Sequence, residues 1–236
     1  MPMSNKVHII IPHYNNWGLT HSRLWELFKI AKNDIHSVTV VDDASTDSMT
    51  EGGLRWWADM TTKLDGEFRV EALQLEENVG FLKASNRGIH YVIGKSAPDD
   101  IIVLLSNDVK VMTNFIGQMT EILRQDQKVV GGILYTHNTG WNKFGDKIFP
   151  YLEGWLLAMK AKDWNLFGGL DERYVPCDYE DMDLSTSALS LGYELVPLNN
   201  PGLQHIGGQS IGYSDERFAQ TKINQKKFEE QWCKDE

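Results

Sequence analysis

The segment that most constrains the fold of this chain is residues 101–108. It begins with five apolar residues, Ile101 to Leu105, and ends in Ser106, Asn107 and Asp108. An apolar run of this length is typical of a strand that is buried on both faces of a parallel sheet. Such a strand carries its last polar residues to the carboxyl edge of the sheet, where open α/β sheets bind ligands. We therefore expect a binding site near Asp108, although these residue types also form ordinary turns and helix caps.

The first half of the chain alternates between predicted strands and predicted helices. Strands are predicted at residues 7–11, 37–41, 68–75 and 101–105, with a helix in each interval between them. This alternation with short connections predicts an α/β fold with a doubly wound, mostly parallel sheet. We expect Pro12 to end the first strand, because proline cannot donate a backbone hydrogen bond to a neighbouring strand.

The second half of the chain has a less regular pattern. Strands are predicted at residues 129–134, 152–159 and 194–197. Residues 135–150 are predicted to form a loop over the site, and a helix should follow the acidic segment 171–183 and end by Gly192. A last helix is predicted at residues 216–232, with the apolar anchors Phe218, Ile223, Phe228 and Trp232. Since no internal repeat or linker interrupts the pattern, we expect a single domain over residues 1–236.

Net charge and cysteine content exclude some classes of function. The net charge of -10 argues against nonspecific nucleic-acid binding, which needs a basic face, but not against a nucleic-acid substrate held by a local patch. The two cysteines, Cys177 and Cys233, fit a reducing compartment. We see neither a signal-peptide pattern nor an apolar run long enough to span a bilayer. The expectation is a cytoplasmic protein with no membrane segment.

Seven short motifs together resemble a known family. They lie at residues 10–15, 40–47, 77–88, 104–108, 168–174, 179–184 and 205–210. In this order, and over nearly the whole chain, they resemble glycosyltransferase family 2, and within it the rhamnosyltransferase-like members. The resemblance implies the GT-A fold, with a smaller antiparallel portion on the acceptor side. It further implies a nucleotide-sugar-binding half at residues 1–110, an acceptor and catalytic half at residues 111–215 and a C-terminal helix at residues 216–236.

The resemblance implies a nucleotide site after the first, second and third strands. Its expected members are Pro12, Tyr14, Asp42, Asp43, Asn78, Gly80, Asn86 and Asn107. Asp43 would hold the nucleobase, since a carboxylate can accept hydrogen bonds from an imide N–H and from ribose hydroxyls. Asn107 would hold ribose or order a water molecule. For Asn78 and Gly80 a plain strand-to-helix connection is the alternative, and Asp47 is interpreted as a helix cap.

The resemblance also implies a divalent metal, Mn²⁺ or Mg²⁺. Asn107-Asp108 occupies the place of the family's Asp-x-Asp motif, with an amide for the motif's first acid, and Asp108 is the implied metal ligand. A divalent cation that bridges the diphosphate would stabilise charge on the leaving group, and it often needs only one or two protein carboxylates. His205 is implied as a second, donor-dependent ligand of the metal or phosphate, although an isolated histidine is usually an ordinary surface residue. Imidazole suits Mn²⁺ better than Mg²⁺.

The acidic segment near residue 180 is implied to be the catalytic half of the site. A sugar hydroxyl is a poor nucleophile, so an inverting transfer needs a carboxylate that takes its proton. The resemblance makes Asp181 this base, with Glu180 supporting the geometry of the base or the acceptor. Trp155 and Tyr179 would contact the acceptor by stacking on sugar faces, although core packing explains Trp155 equally well. Asp183 fits a helix N-terminus that favours acidic side chains.

The sequence therefore predicts a metal-dependent, inverting glycosyltransferase. Its expected partners are a nucleoside-diphosphate sugar, with UDP favoured over dTDP, and an acceptor hydroxyl. The acceptor is left open among a glycan precursor, a lipid-linked sugar, a protein and a modified nucleic-acid base. A sugar nucleotidyltransferase is a weaker alternative, because residues 13–16 lack its Gly-rich basic phosphate loop. A non-catalytic nucleotide-sugar-binding module is the second alternative, and Asp108, Asp181 and His205 argue against it.

Overall fold

The structure, a computed structural model, describes residues 5–64, 66–136, 141–207 and 214–233. Its first half contains β1 (Val7–His13), α1 (Trp17–Ala31), β2 (Ser37–Asp42), α2 (Thr50–Thr62), β3 (Arg69–Gln74), α3 (Phe81–Ile93) and β4 (Ile101–Leu105). There follow β5 (Val109–Val111), α4 (Ile116–Leu123), β6 (Lys128–Gly131), β7 (Leu134–Tyr135), β8 (Lys143–Phe144), β9 (Lys147–Ile148), β10 (Tyr151–Leu152) and β11 (Leu156–Lys160). The chain continues through α5 (Ala161–Phe167), a 3₁₀ turn (Glu172–Tyr174), α6 (Glu180–Ser190), β12 (Glu194–Pro197), β13 (Leu203–His205) and α7 (Asp215–Trp232).

A seven-stranded sheet in the order β12-β6-β11-β4-β1-β2-β3 forms the centre of the fold. Strands β1 to β4 pair in parallel, as do β6 and β12, whereas β11 runs antiparallel to both β4 and β6. Three two-stranded pairs, β7 with β10, β5 with β13 and β8 with β9, are antiparallel. The predicted mostly parallel α/β fold with a smaller antiparallel portion is confirmed. Because β6, β11 and β12 belong to the central sheet, this sheet extends beyond the expected boundary at residue 110.

Strand β4 is buried on both faces, as its apolar run predicts. Ile101, Val103 and Leu105 pack with the helices on one face, while Ile102 and Leu104 pack on the other, and none is more than 1% exposed. Burying each such side chain contributes roughly 1.5–3 kcal/mol to folding. The strand is therefore a rigid support for the polar residues that follow it.

Strand β1 differs from the prediction, because it continues through Pro12 to His13. Its pairing with β4 ends at Ile10, whereas its pairing with β2 continues to His13. Pro12 therefore lies where β4 no longer pairs, and the missing N–H can be tolerated within the strand. The expectation that Pro12 ends the strand was wrong.

The predicted strand at residues 152–159 is in fact two strands, β10 and β11, with residues 153–155 between them. Residues 135–150 do not form only a loop, because they contain the β8–β9 hairpin. Two aromatic residues of this region, Phe144 and Phe149, pack against Phe228 of α7 with ring centroids 5.5 Å and 5.0 Å apart. The hairpin is thus attached to the C-terminal helix.

The apolar anchors predicted for α7 are partly wrong. Phe228 is fully buried, whereas Phe218 and Ile223 are 54% and 49% exposed. In place of these two residues the helix buries Asn224. The Asn224 amide donates to the carbonyl oxygens of Tyr174 and Cys177. Among the described residues, no helix combines the length and apolar character needed to cross a bilayer.

Candidate active site

Three polar residues follow β4 at the carboxyl edge of the sheet, and they are held in place by their own hydrogen bonds. The hydroxyl of Ser106 donates to Oδ1 of Asp108 over 2.6 Å, and the Ser106 N–H donates to the carbonyl of Trp155 over 2.9 Å. Asp108 is only 3% exposed. The position of its carboxylate is therefore defined before any ligand arrives.

His205 lies beside Asp108, as the resemblance implied. Strand β13 pairs antiparallel with β5, so that His205 lies opposite Val109, the residue after Asp108. Nε2 of His205 lies 3.4 Å from Oδ1 of Asp108, and the imidazole stacks on the Trp155 ring with centroids 5.7 Å apart. The His205 side chain is 33% exposed and is therefore accessible to a ligand. Residues 208–210 of the same motif lie outside the described residues.

Asp108 and His205 provide two donors of the kinds that Mn²⁺ accepts, a carboxylate oxygen and an imidazole nitrogen. Within the described ranges, no group of three or more His, Cys, Asp or Glu side chains forms a complete metal site. The remaining positions around a cation would come from diphosphate oxygens and water. The pair fits a donor-dependent metal site better than a permanently occupied one.

Asp181 lies in the first turn of α6 and is held by backbone N–H groups. Its Oδ2 accepts from Gly154 over 3.0 Å, and its Oδ1 accepts from Met182 over 2.8 Å. Burial raises the pKa of Asp181 to about 6, with the charges of Glu153 and Asp178 acting in the same direction and the two backbone hydrogen bonds opposing it. A carboxylate with this pKa is ionised at neutral pH and still accepts a proton readily.

Glu180 differs from its neighbour because it is 7% exposed and has a buried Oε2 with no hydrogen-bond partner among the described residues. Burial, together with the charge of Asp181, raises the pKa of Glu180 well above its usual value. Asp181, whose two oxygens both accept backbone hydrogen bonds, is therefore the candidate base of the two.

Asp178, two residues before α6, has a structural role. Its carboxylate accepts from Arg217 and Thr221 of α7, at 2.8 Å and 2.6 Å. Although burial opposes it, these hydrogen bonds lower the pKa of Asp178. Tyr179 has φ +82° and packs its ring 5.7 Å from that of Phe228, with only 8% of the residue exposed. The structure therefore favours a packing role for Tyr179 over the expected contact with the acceptor.

The segment between β10 and β11, Glu153-Gly154-Trp155, connects the two halves of the site. Gly154 donates to Asp181, while Trp155 stacks on His205 and accepts from Ser106. A Cβ at Gly154 would lie 3.2 Å from Cβ of Asp181, which is tighter than ordinary packing. Glycine at this position is thus required for the close approach of the segment to α6. Our sequence analysis missed Gly154, since it appeared to lie inside a continuous strand.

Asp42 is the last residue of β2 and Asp43 follows it, but both carboxylates accept hydrogen bonds from backbone N–H groups. The two carboxylate oxygens of Asp43 accept from the N–H groups of Val79 and Gly80, at 2.8 Å and 2.9 Å. Oδ1 of Asp42 accepts from Ser45 over 3.0 Å. Asp43 thus holds the turn before α3 against the end of β2. A nucleobase contact from Asp43 would have to use its remaining lone pairs.

Two other predicted nucleotide residues, Tyr14 and Asn78, lie in loops at this edge of the sheet and are exposed. Asn86 is different, because it is 3% exposed and its amide bonds both the N–H and the carbonyl of Leu170. It also donates to Glu172 over 3.1 Å. The structure therefore gives Asn86 a role in holding the turn at residues 168–170, in place of the direct nucleotide contact that we expected.

Asn107 also differs from the expectation that it holds ribose or water. It is 4% exposed, and its amide donates to the hydroxyl of Thr20 in α1 over 3.1 Å. Thr20 in turn contacts the imidazole of His13 over 2.9 Å. The buried guanidinium of Arg23 pairs with Glu26 and reaches the Asn107 carbonyl. Sequence reasoning missed Thr20 and Arg23, because polar residues within a helix carry no signal of what they contact.

Comparison with known proteins shows the family and the fold of this chain. The sequence model of glycosyl transferase family 2 matches residues 8–176. The structure of GalNAc-T7 with UDP, GalNAc and Mn²⁺ superimposes with a TM-score of 0.73 at 14% identity, covering 98% of this chain and 49% of that one. Among curated proteins, none matches this chain in sequence.

Two further solved structures share the fold. The mannosyltransferase PcManGT from Pyrobaculum calidifontis, in complex with GDP-Man and Mn²⁺, has a TM-score of 0.62 at 18% identity and covers 83% of this chain and 55% of that one. S. aureus TarS 1-349 in complex with UDP has a TM-score of 0.61 at 17% identity, and the match covers 93% of this chain and 64% of that one. The chain thus spans between 49% and 64% of the length of the three structures. With the GT-A fold and a family match over residues 8–176, the chain belongs to glycosyltransferase family 2.

Proposed function

We propose that this protein transfers a sugar from a nucleoside diphosphate to an acceptor hydroxyl, with a divalent metal and with inversion at the sugar carbon. The observation that carries the proposal is the segment 153–155, which contacts His205 on one side and Asp181 on the other. Through this segment the candidate metal pair is connected to the candidate base, which supports a single site. A transferase needs both in one site, because the leaving diphosphate and the attacking hydroxyl act on the same carbon.

Asp108 and His205 would hold the metal and the diphosphate. When bound, the cation neutralises charge that develops on the leaving diphosphate. We propose Mn²⁺ over Mg²⁺, because one of the two available protein donors is an imidazole. The structures of PcManGT and GalNAc-T7 both contain Mn²⁺, which supports a divalent metal in this protein.

UDP is the proposed nucleotide, with Pro12, Tyr14, Asp42, Asp43, Asn78 and Gly80 around the base and ribose. Two of the three similar structures contain UDP, and the third contains GDP-Man. The alternative is dTDP, which the rhamnosyltransferase-like motifs favour. Uracil and thymine both present an imide N–H to an acidic acceptor, so Asp42 and Asp43 suit either base.

Asp181 would accept the proton of the attacking hydroxyl, while Glu180 supports the geometry of the base or the acceptor. A single in-line displacement then inverts the configuration at the sugar carbon, and no covalent enzyme intermediate is needed. Trp155, whose ring stacks on His205, is the proposed acceptor contact, since an indole ring can stack on a sugar face. The acceptor itself is proposed only as a hydroxyl compound.

Calorimetric titration with UDP, GDP and dTDP tests the donor half of this proposal. Each nucleotide would be titrated with Mn²⁺, with Mg²⁺ and with EDTA, into wild-type protein and into Asp108→Ala. We expect wild-type protein to bind UDP only with metal, and more tightly with Mn²⁺ than with Mg²⁺. In Asp108→Ala, adding metal should no longer increase UDP binding. Asp59→Ala, an exposed acid on α2, is the control and should match wild type. Metal-independent binding, or equal metal dependence in Asp108→Ala, would contradict the metal assignment.

Release of UDP from UDP-sugars, measured with and without a panel of hydroxyl acceptors, tests the catalytic half. We expect acceptor-stimulated release in wild type and its loss in Asp181→Asn. Tight metal-dependent binding without any release would favour the non-catalytic nucleotide-sugar-binding module instead.

A further inference from the structure

A chain of hydrogen-bonded side chains, all buried except the partly exposed Asp47, connects the start of α2 to the residue beside Asp108. It runs from Asp47 through Thr50, His13 and Thr20 to Asn107. The successive contacts measure 2.5 Å, 2.9 Å, 2.9 Å and 3.1 Å. His13, Thr20, Thr50 and Asn107 are all at most 4% exposed. Because water is excluded, every donor in the chain needs an acceptor within it.

The direction of the first hydrogen bond follows from Asp47. Its carboxylate caps α2 by accepting from the N–H groups of Met49 and Thr50, and it accepts the Thr50 hydroxyl as well. Although burial opposes it, these hydrogen bonds lower the pKa of Asp47. An ionised carboxylate can only accept. The single hydroxyl proton of Thr50 is therefore directed to Asp47, and Thr50 can only accept from His13.

The tautomer of His13 follows from this constraint. Its Nε2 must carry a proton, because Thr50 has none left to donate. Burial lowers the pKa of His13, although the charges of Asp42 and Asp47 oppose the shift, and the ring is neutral at pH 7. A neutral ring protonated at Nε2 has an accepting Nδ1. Thr20 therefore donates its hydroxyl proton to His13.

The last contact is then determined as well. Since Thr20 has given its only proton to His13, its oxygen can only accept from residue 107. The amide of Asn107 can donate, whereas an ionised aspartate at this position cannot. This provides a physical reason for an amide, and not a carboxylate, directly before Asp108.

We propose that His13 is a positioning residue for the Asn107-Asp108 turn, acting through a directed hydrogen-bond chain that requires an amide at position 107. The chain orients residue 107 from the nucleotide side of the site, and Asp108 follows directly. Partners of this kind around a metal ligand hold it in its binding geometry. This inference rests on the proposed metal role of Asp108, but the tautomer of His13 does not depend on that role.

Nitrogen NMR of the histidine rings tests the direction of the chain. Long-range ¹H–¹⁵N spectra at pH 7 distinguish the two neutral tautomers and the charged ring. The protein has seven histidines, so the His13 signals would be assigned by their loss in His13→Asn. We expect a neutral ring with the proton on Nε2. A proton on Nδ1, or a charged ring at pH 7, would overturn the proposal.

The effect on the site is tested by the Mn²⁺ concentration that gives half-maximal binding of UDP. Thr20→Val removes the hydroxyl with little change in shape, and we expect a rise of about ten- to a hundredfold. Thr20→Ser keeps the hydroxyl and should restore most of the binding. Thr61→Val is the matched control, because Thr61 is equally buried but lies near the end of α2, away from the chain. Its hydroxyl donates to the Trp57 carbonyl and accepts from the Val70 N–H.

Asn107→Asp gives the sharpest result, because it adds a carboxylate beside the proposed metal ligand. If the metal site merely lacked an acid, this variant would need less Mn²⁺. We expect it to need more, because the chain loses its final donor. A lower Mn²⁺ concentration for half-maximal UDP binding in Asn107→Asp would overturn the positioning role. A Thr20→Val protein with the same Mn²⁺ requirement as wild type would overturn it as well. If Thr20→Val does not fold, Asn107→Asp alone decides the question.

The two proposals fail in different ways. If wild-type protein bound UDP without metal, the metal role of Asp108 would fail, and the positioning role with it. The His13 tautomer would still show whether the chain has the proposed direction. If UDP binding is metal-dependent but the variants behave like wild type, only the positioning role is wrong.

Discussion

Nε2 of His205 lies 3.4 Å from Oδ1 of Asp108, although the two residues are far apart in the sequence. The contact is created by the pairing of β13 with β5, which sets His205 opposite Val109. It is reinforced by Ile206, whose N–H donates to the carbonyl of Asp108 over 3.1 Å. The backbone of the two segments is thus joined on either side of the candidate metal pair.

His205→Ala should raise the Mn²⁺ concentration for half-maximal UDP binding and weaken UDP itself, since a metal or phosphate ligand is lost. The fold should be retained, because the side chain is 33% exposed. Calorimetry and a thermal melt measure the two effects separately. His90→Ala, an exposed histidine on α3, is the control. Unchanged metal dependence and UDP affinity would make His205 an ordinary surface residue.

Asp181→Asn should retain UDP and Mn²⁺ binding but lose roughly two to four decades of kcat, the usual contribution of a general base. Glu180→Gln should retain far more of kcat, because Glu180 is not the proposed base and glutamine has nearly the same shape. Steady-state rates of UDP release compare the two variants. An inactive Glu180→Gln with an active Asp181→Asn would exchange the two roles.

The rate of transfer should rise with pH through about 6, because burial raises the pKa of Asp181 to about 6. Below this pH Asp181 is protonated and cannot accept a proton, whereas above it the base is ionised. Measurement of kcat between pH 5 and 8 at saturating donor and metal tests this. A rate independent of pH across that range would mean that Asp181 is not the titrating base.

Gly154→Ala should lower kcat while leaving UDP and Mn²⁺ binding almost unchanged. The added Cβ would lie 3.2 Å from Cβ and 3.4 Å from Oδ2 of Asp181, so the carboxylate or the segment must shift. Small displacements of a catalytic group can cost up to about a hundredfold in rate. Gly117→Ala in α4 is the control, since nothing lies within 4 Å of its added Cβ. Equal kcat in the two variants would show that the close approach has no catalytic role.

The main elements of the fold could be predicted from local sequence patterns. The bounds of β4 and β12 were correct, because each is a compact apolar or alternating run between polar breaks. Gly192 ends α6 as expected, with φ +80°. Asp47 also caps α2 as expected. Such features depend on side chains and dihedral angles within a few residues, and these are visible in a single sequence.

The resemblance to a family also pointed to Asp108, Glu180, Asp181 and His205, and in the structure the segment 153–155 contacts both His205 and Asp181. Their roles in metal binding and catalysis stay predictions, as do the halves bounded at residues 110 and 215. The sequence could not show which partners the polar side chains form hydrogen bonds with. Asn86, Asn107 and Tyr179 were expected in the site, but each is engaged by a neighbour in the fold.

The tertiary structure alone decided which partners these polar groups have. Thr20, His13 and Asn107 belong to three different elements, and only the packing of α1 against the ends of β1 and β4 brings them into contact. Gly154 likewise matters only because α6 passes close to it. The sequence by itself determined where strands end and where acids follow them, since those are local properties. The direction of a buried hydrogen bond depends on the groups at both ends, and folding alone brings those together.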